Sequence, residues 1–391
     1  MTQTLTQTQP PTPPAGTTGP SPLTDDEVVA LAAAVGAVAA EHDARHDRDA
    51  TFVTEAYDAA HANGYLRLAV PADLGGGGAT IRQVVLAQEE LGRWSGAAAL
   101  ASTMHHYLTF VQRWRRFRGA PGAEAVLRAV ADGLVMATSG GSDWVSPTTV
   151  ATPVDGGYRL DGRKTFCSQA PVAGVISTSA VVGEPGPGAE VIHAGVPLSA
   201  EGVSMVETWD TLGMRGTASH DLVLDGVFLP AEKVLGTRPY GVLAGPLLVA
   251  AIHFAPLAGA AYLGVGRGAC DEAARLLRTR PEPAAGAVRA MGEMRTRLRV
   301  AHWALLGAVA ETGEDLPADA ATLATLMTAK REAVLAARSV VDQAMEVAGG
   351  AAFFKRSPLE RAYRDARGGP FHPLTPEATL DLVGRRTLAE G

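Results

Sequence analysis

Apolar residues recur at helical spacing in the first third of the chain. Thr24 precedes three acidic residues, which is typical of a capped helix start, and Gly64 stands where a helix would end. The pattern predicts helices from about Thr24 to Ala40, Phe52 to Asn63, Ile81 to Leu91 and Ala97 to Arg118. This part of the chain is therefore predicted to be helical.

The middle of the chain has a different pattern. From Gly133 to about Gly236, short runs of alternating apolar and polar residues lie between turn-forming residues, which predicts a compact β domain. After Pro239 the helical spacing returns, with predicted helices from Leu247 to Leu277, Ala287 to Glu311 and Ala318 to Val347. The predicted fold class is α+β, mostly α, with a helical domain at 24–132, a β domain at 133–237 and a helical domain at 238–391.

Residues 1–23 are rich in Thr, Gln, Pro and Gly and offer little apolar surface to bury, so they are predicted to form a disordered tail. The most apolar run, Val242 to Val265, contains His253 and two prolines. A buried helix explains it better than a membrane span. We therefore expect no membrane partner and a cytoplasmic location.

Charge and cysteine content exclude several kinds of partner and site. The formal net charge of -7 argues against nucleic-acid binding, which needs clustered Lys and Arg. Cys167 and Cys270 are far apart, which suggests neither a disulfide framework nor a zinc site. His42 and His46 have metal-ligand spacing, but charged neighbours indicate a solvated face. No metal site is predicted.

Short strings of residues in all three parts of the chain point to one family. They are Gly64–Leu66, Val70–Gly76, Glu89–Gly92, Thr138–Asp143, Gly162–Ser168, Leu212–Thr217, Phe228–Pro230, Gly349–Gly350, Pro358–Arg361 and Arg364–Arg367. In this order the strings resemble the acyl-CoA dehydrogenase superfamily. The resemblance implies an N-terminal helical domain, a central β domain and a C-terminal four-helix bundle, with a flavin at their junction. It also implies a homodimer or homotetramer.

Four residues of the central domain are predicted to hold the flavin. A flavin ring needs hydrogen-bond donors around its edge and a flat apolar wall. The resemblance gives the hydroxyl roles to Thr138 and Ser168 and the wall to Phe166, and it places Ser142 in the flavin loop. Without the resemblance, Thr138 and Ser168 would be interpreted as ordinary strand hydroxyls and Phe166 as a core residue.

The resemblance leaves the choice between FAD and FMN open. Family members that bind FAD hold the adenine end with an Arg-x-x-Phe-Gly string, of which only Arg278 is present. Gly349 and Gly350 match the family, but Glu346 stands near them in place of the usual glutamine. Because a carboxylate repels a pyrophosphate, FMN becomes a serious alternative to FAD.

The residues expected of a dehydrogenase base are missing. Dehydrogenases of the family remove an α-proton with a glutamate, and the two positions where family members carry it are Pro373 and Leu248 here. Glu377 is an alternative base if a short insertion has displaced it, although it also reads as the acidic first turn of a helix.

His372 suggests a different reaction, because it lies beside the vacant position and resembles the C-terminal histidine of flavin monooxygenases on this fold, such as dibenzothiophene monooxygenase. There an imidazole can act as acid or base when reduced flavin reacts with oxygen. His106 is a further candidate, on a helix expected beside the substrate.

Three functions therefore stay open. The first is a reduced-flavin monooxygenase of a small organic molecule, and it is slightly favoured. The second is a dehydrogenase of an acyl thioester, and the third is an inactive family member that acts as a binding subunit. A flavin reductase or an electron-transfer partner is expected for an active enzyme.

Overall fold

The computed structural model describes residues 23–389, without the side chain of Ser142. Nearly all of the tail predicted at 1–23 therefore lies outside the described residues. The element order is helices, then a sheet, then helices, which confirms the predicted fold class.

From residue 23 onward the N-terminal part forms five α-helices. They are α1 (Asp25–Asp49), α2 (Thr54–Ala62), α3 (Ile81–Trp94), α4 (Gly96–Phe117) and α5 (Ala123–Ala131). The first begins as predicted, because the Thr24 hydroxyl accepts a hydrogen bond from the Glu27 amide and the Glu27 carboxylate accepts one from the Thr24 amide.

Helix α1 continues past Ala40 because two buried polar residues of its second half, Asp43 and His46, find partners outside the helix. Asp43 accepts a hydrogen bond from the Ser95 hydroxyl (2.9 Å). The two ring nitrogens of His46 contact Thr51 and Glu55 at 2.8 and 2.6 Å. The expectation that His46 lies on a solvated face is therefore wrong, since its imidazole is buried in these contacts.

The central part is an eight-stranded sheet. Its strands are β1 (Met136–Thr138), β2 (Val150–Val154), β3 (Gly157–Cys167), β4 (Val175–Val182), β5 (Glu190–Pro197), β6 (Val203–Val206), β7 (His220–Pro230) and β8 (Val234–Pro239). The order is β6-β7-β3-β2-β4-β5-β8, and β1 pairs with β4 in parallel. One face buries Leu160, Ile176, Ile192, Leu222 and Leu224.

The C-terminal part contains a further five α-helices. They are α6 (Gly245–Arg278), α7 (Ala285–Thr312), α8 (Ala320–Ala348), α9 (Pro358–Ala366) and α10 (Pro376–Ala389). Helix α6 packs against α3, α4, α7, α8 and α9 and is the core element of the molecule. It is apolar enough to cross a membrane, but 89% of its most apolar window is buried inside the protein.

Glycines allow α3 and α6 to touch through their backbones. A Cβ on Gly92 would lie 2.3 Å from the carbonyl oxygen of Ala261, and one on Gly264 would lie 2.3 Å from that of Glu89. This close contact fixes α6 relative to the N-terminal helices, so it also fixes the space between α6, α4 and the sheet.

Candidate active site

A cavity of about 380 Å³ lies between the second half of α4, the start of α6 and the sheet. Ligand pockets commonly have this size. Its apolar lining includes Leu108, Val111, Trp144, Leu247 and Leu248. Its polar lining includes Thr138, Ser139, Ser177, Ser179 and His193. The cavity therefore offers a ligand one apolar wall and one wall of hydrogen-bonding groups.

The two predicted flavin loops contact each other at one edge of this cavity. The Gly140 amide donates to the Thr165 carbonyl (2.8 Å), and a Cβ on Gly140 would lie 2.3 Å from the Cβ of Phe166. Phe166 has a φ of +57° and its side chain is 50% exposed. A non-glycine residue in this strained conformation is typical of a functional site. The structure thus brings together the loops that carry Thr138, Phe166 and Ser168, and of these three residues Thr138 lines the cavity.

Hydrogen bonds fix the orientation of the Ser168 hydroxyl. Thr217 donates to the Met214 carbonyl (2.9 Å), so it accepts from Ser219, which lies 2.7 Å away. Ser219 in turn accepts from Ser168 at 2.8 Å. Because each hydroxyl has a single hydrogen, Ser168 offers a ligand its lone pairs. Thr138 lines the cavity, and its hydroxyl donates a long hydrogen bond to the Ser139 carbonyl (3.4 Å). A ligand would have to replace this contact to use Thr138 as the expected donor.

His372 lies behind the cavity lining. The Phe254 ring packs against Tyr107 and Trp144, which line the cavity, and against His372 on its other side, with a ring-centroid distance of 5.9 Å to the imidazole. The Tyr262 hydroxyl lies 2.8 Å from Nε2 of His372. Burial and the charge of Lys330 lower the pKa of His372 to about 3, so the imidazole is neutral at neutral pH.

A buried lysine holds the loop that carries His372. The Lys330 ammonium donates to the carbonyls of His372 (2.7 Å), Pro373 (3.2 Å) and Leu374 (2.9 Å). Pro373 also rests on the flavin loop, since a Cβ on Gly141 would lie 2.8 Å from its ring. The flavin loops and the His372 loop are therefore in direct contact.

Carboxylates are scarce around the cavity. Leu248 lines it, so a position where relatives carry a base faces the cavity without a charge. Glu377 is exposed in the first turn of α10 and is not a lining residue. Among the described lining residues the carboxylate is Asp143, and its Oδ2 lies 2.6 Å from Nζ of the fully buried Lys164. Lys164 also donates to the Ser179 carbonyl at 2.5 Å.

His193 contributes a hydrogen-bond donor that the sequence did not reveal. Nε of Arg238 donates to Nε2 of His193 at 3.1 Å. A guanidinium only donates, so Nε2 accepts and the neutral ring carries its proton on Nδ1. Burial and the charges of Arg238 and Lys164 lower the pKa of His193 to about 3. Nδ1 has no acceptor among the described residues, so it is free to donate to a ligand.

His106 does not line the cavity. Its ring packs edge-on against Tyr65 (5.0 Å between centroids), and neither ring nitrogen has a partner among the described residues. By contrast, Nε2 of the adjacent His105 contacts the Leu66 carbonyl at 2.7 Å, and its Nδ1 accepts from the Met136 amide at 3.2 Å. Tyr107, one residue later on the same helix, does line the cavity.

Arg278, Gly349 and Gly350 lie at the far end of the C-terminal helices. Leu248 and Arg278 are thirty residues apart on α6, which is about 45 Å at 1.5 Å per residue. The two glycines follow α8, near where Arg280 donates to the Ala348 carbonyl. Within one chain these residues cannot reach the flavin loops, so their cofactor role stays a prediction that requires a second chain.

The remaining predicted residue, Ser142, lies in a short 3₁₀ helix, Gly141–Asp143, and its side chain lies outside the described part of the structure.

Comparison with known proteins connects this site to a family. The N-terminal, middle and C-terminal domain models of acyl-CoA dehydrogenases match residues 25–115, 137–227 and 252–388. The amino sugar nitrososynthase DnmZ of Streptomyces peucetius is 33% identical over 88% of this chain and 88% of its own length. The chain belongs to the acyl-CoA dehydrogenase superfamily.

Relatives from both branches of the superfamily match. A dibenzothiophene monooxygenase of Rhodococcus erythropolis is 28% identical over 94% of this chain and 95% of its own. A putative acyl-CoA dehydrogenase of Bacillus subtilis is 28% identical over 86% and 90%. KijD3, solved with FMN and dTDP-3-amino-2,3,6-trideoxy-4-keto-3-methyl-D-glucose, has a TM-score of 0.78 and 27% identity, covering 93% of this chain and 92% of its own.

This superfamily member is a flavin-dependent oxidoreductase, and its cofactor is FAD or FMN. The residues present fit a flavin: Thr138 would offer a hydroxyl, Ser168 its lone pairs and the half-exposed Phe166 ring a flat apolar surface, and these roles stay predictions.

Proposed function

We propose that this protein is a reduced-flavin monooxygenase that oxidises a polar small molecule, with amino sugars linked to a nucleotide as the substrate class. The observation that carries the proposal is the state of the cavity's carboxylate. Asp143 is held by Lys164 at 2.6 Å, and both side chains are buried. A carboxylate in a buried ion pair is a poor base, because taking a proton would leave the lysine charge unpaired.

The other base positions support the same proposal. A dehydrogenase needs a carboxylate within hydrogen-bond reach of the α-proton. Leu248 and Pro373 cannot take up a proton, and Glu377 is exposed on α10. A monooxygenase reaction does not require a carboxylate base, since reduced flavin supplies the electrons and molecular oxygen is the oxidant.

We propose His372 as the acid or base of this chemistry. Its imidazole is neutral, and it is oriented by the Tyr262 hydroxyl at Nε2. Lys330 holds the three consecutive carbonyls from His372 to Leu374, which keeps the loop against Gly141. Phe254 packs against the imidazole and also against Tyr107 and Trp144 of the cavity lining, which connects the partly buried His372 to the cavity wall.

The polar wall supports the proposed substrate class. Hydroxyls of Ser139, Ser177 and Ser179 and the Nδ1–H of His193 suit a ligand with several polar groups better than an acyl chain. Relatives named amino sugar nitrososynthases, and a neighbour solved with the dTDP derivative of a 3-amino sugar, point to the same class.

Three further proposals complete this function. A flavin reductase or an electron-transfer partner supplies the electrons. A second copy of the chain, in a homodimer or homotetramer, brings Arg278, Gly349 and Gly350 to the flavin. The enzyme works in the cytoplasm, where Cys167 and Cys270, both buried and free, would stay reduced.

A rapid-mixing experiment tests the oxygen chemistry. The protein is reconstituted with FMN or FAD, reduced without oxygen and mixed with oxygenated buffer while absorbance is recorded. We expect a transient near-ultraviolet species before oxidised flavin returns. We also expect His372→Ala to shorten its lifetime and Glu377→Gln to leave it unchanged. Anaerobic bleaching of the flavin by acyl thioesters, abolished by Glu377→Gln, would instead identify a dehydrogenase.

A further inference from the structure

Four arginines lie in the last turns of α4 or directly after it, in different surroundings. Arg113 donates to the carbonyls of Ala69 and Ala79. Arg116 pairs with two carboxylates, those of Asp73 and Glu124, and Arg118 pairs with Asp315. Arg115 differs, because it lines the cavity and forms no ion pair with a described residue. Its guanidinium is the one on this helix that is available to a ligand.

The contact that Arg115 does make is weak. Its Nη1 lies 3.4 Å from Oε1 of Gln112, which is long for a hydrogen bond. Gln112 is buried and also lines the cavity. A partly buried charge without a counter-ion is unfavourable, and an anion from the ligand removes that cost. Burial lowers the pKa of Arg115 with no acidic group to offset it, which agrees with this description.

The position of Arg115 sets its distance from the flavin loops. Tyr107 and Arg115 both line the cavity and are eight residues apart on α4, which is about 12 Å along the helix axis. Burial raises the pKa of Tyr107 to about 12, and the nearby Thr138 hydroxyl partly offsets this, so Tyr107 marks the flavin-loop end. Arg115 marks the opposite end, beside Trp114.

We infer that Arg115 binds the diphosphate of a nucleotide-linked substrate whose reacting group lies at the Tyr107 end of the cavity. Only the placement of the reacting group rests on the proposed function; the diphosphate contact does not. A guanidinium suits this role because it binds phosphate oxygens through two parallel hydrogen bonds. A nucleoside diphosphate sugar and a coenzyme A thioester both carry a diphosphate, so the shared chemistry is the diphosphate itself.

The test measures binding of dTDP and of coenzyme A to the flavin-reconstituted protein by calorimetry. The variants are Arg115→Met, Arg115→Lys and, as a matched control, Arg128→Met, which removes an exposed arginine of α5 outside the cavity. We expect one of the two probes to bind. Arg115→Met should weaken its binding at least tenfold, Arg115→Lys less, and Arg128→Met not at all. Binding of dTDP alone identifies a sugar nucleotide, and binding of coenzyme A alone identifies a thioester.

Two results would overturn the inference. One is equal affinity of the wild type and Arg115→Met for the probe, at matched flavin content and melting temperature. The other is a wild type that binds neither dTDP nor coenzyme A. The oxygen reaction of the reduced flavin needs no substrate, so it is scored separately. A wild type that shows no near-ultraviolet transient but loses probe binding in Arg115→Met would overturn the proposed function and leave the diphosphate site standing.

Discussion

Single side chains around His372 decide how it is held. The hydroxyl of Tyr262 is its contact at Nε2, and burial keeps that hydroxyl protonated by raising its pKa. We predict that Tyr262→Phe lowers the rate of substrate oxidation roughly 2- to 10-fold, the effect of losing one buried hydrogen bond of about 0.5–1.5 kcal/mol. Steady-state rates across a pH series measure this effect.

The control for this variant is Tyr363→Phe, which changes an exposed tyrosine of α9 and should leave the rates unchanged. A Tyr262→Phe enzyme with the rates and pH profile of the wild type would show that His372 needs no partner at Nε2.

Two adjacent histidines of α4 offer a second prediction at this scale. Changing His105 to Leu leaves the Leu66 carbonyl and the Met136 amide without a partner, so the free energy of unfolding should fall by about 1–3 kcal/mol. Changing His106 to Leu removes two ring nitrogens that have no described partner, so stability should stay equal or rise. Urea unfolding compares the pair.

The same two variants also test whether His106 is catalytic. If His106→Leu abolished turnover without loss of stability, His106 would be catalytic despite lying outside the cavity lining.

At the residue scale the sequence made His372 a candidate, because it stands beside the position of the missing base, and its role stays a prediction. The contacts of His193 with Arg238 and of Asp143 with Lys164 were missed, since each joins elements that are separate in sequence. One signal was present for Lys164, which stands inside the string Gly162–Ser168 at an inward-facing position of β3.

Among the elements, the contact between α3 and α6 depends on residues without side chains. A Cβ on Gly264 would lie 2.3 Å from the Glu89 carbonyl oxygen, so Gly264→Ala must push the helices apart. We predict a loss of about 1–3 kcal/mol in the free energy of unfolding, as for overpacked cores. The cavity beside α6 should change shape as well, which weakened probe binding would report.

Gly307→Ala on α7 is the matched control, because a Cβ there meets nothing within 4 Å. Alanine favours a helix over glycine, so this variant should gain up to about 1 kcal/mol. If Gly264→Ala and Gly307→Ala had equal free energies of unfolding, α3 and α6 would separate without loss of stability, which would contradict the prediction.

The sequence predicted the elements well where their spacing was regular. The ends were less certain, as α1 shows: it continues to Asp49 because Asp43 and His46 are paired with residues outside the helix. Spacing along one helix carries no information on such partners.

For the whole molecule, buried histidines determine the response to acid. Burial lowers the pKa of His105 and His253 to about 4 and that of His193 and His372 to about 3. The unfolded chain therefore binds more protons than the folded one between pH 3 and 6.5. We predict that the free energy of unfolding falls as the pH falls through this range.

Two buried carboxyls oppose this trend. Burial raises the pKa of Asp43 to about 7 and that of Asp365 to about 6, so their protonation favours the folded state as the pH falls from 7 to 4. Burial also lowers the pKa of His106, so five histidines shifted down outweigh two aspartates shifted up. Urea unfolding at several pH values checks the sign.

His253→Leu isolates one contribution to this slope. Removing a histidine whose pKa drops from 6.5 to about 4 should flatten the curve by up to about 3 kcal/mol over this range. His61→Gln, at an exposed position of α2, should leave the slope unchanged. A His253→Leu curve parallel to that of the wild type would contradict the assignment.

At this scale the order of the three parts followed from the sequence, and the cavity between them did not. Its walls come from α4, α6 and the sheet, and nothing in the residue spacing of one element says which of its faces meets the others.

The fixed tautomer of His193 has a consequence for the protonation state of a bound ligand. A group placed at Nδ1–H must accept a hydrogen bond, and an ammonium has no lone pair with which to do so. An amine bound there must first lose its proton to water, so its apparent affinity should rise about tenfold for each pH unit until its own pKa is reached. The polar wall of the cavity would thus bind an amine in its neutral form, which is the form whose lone pair can react with an oxidant.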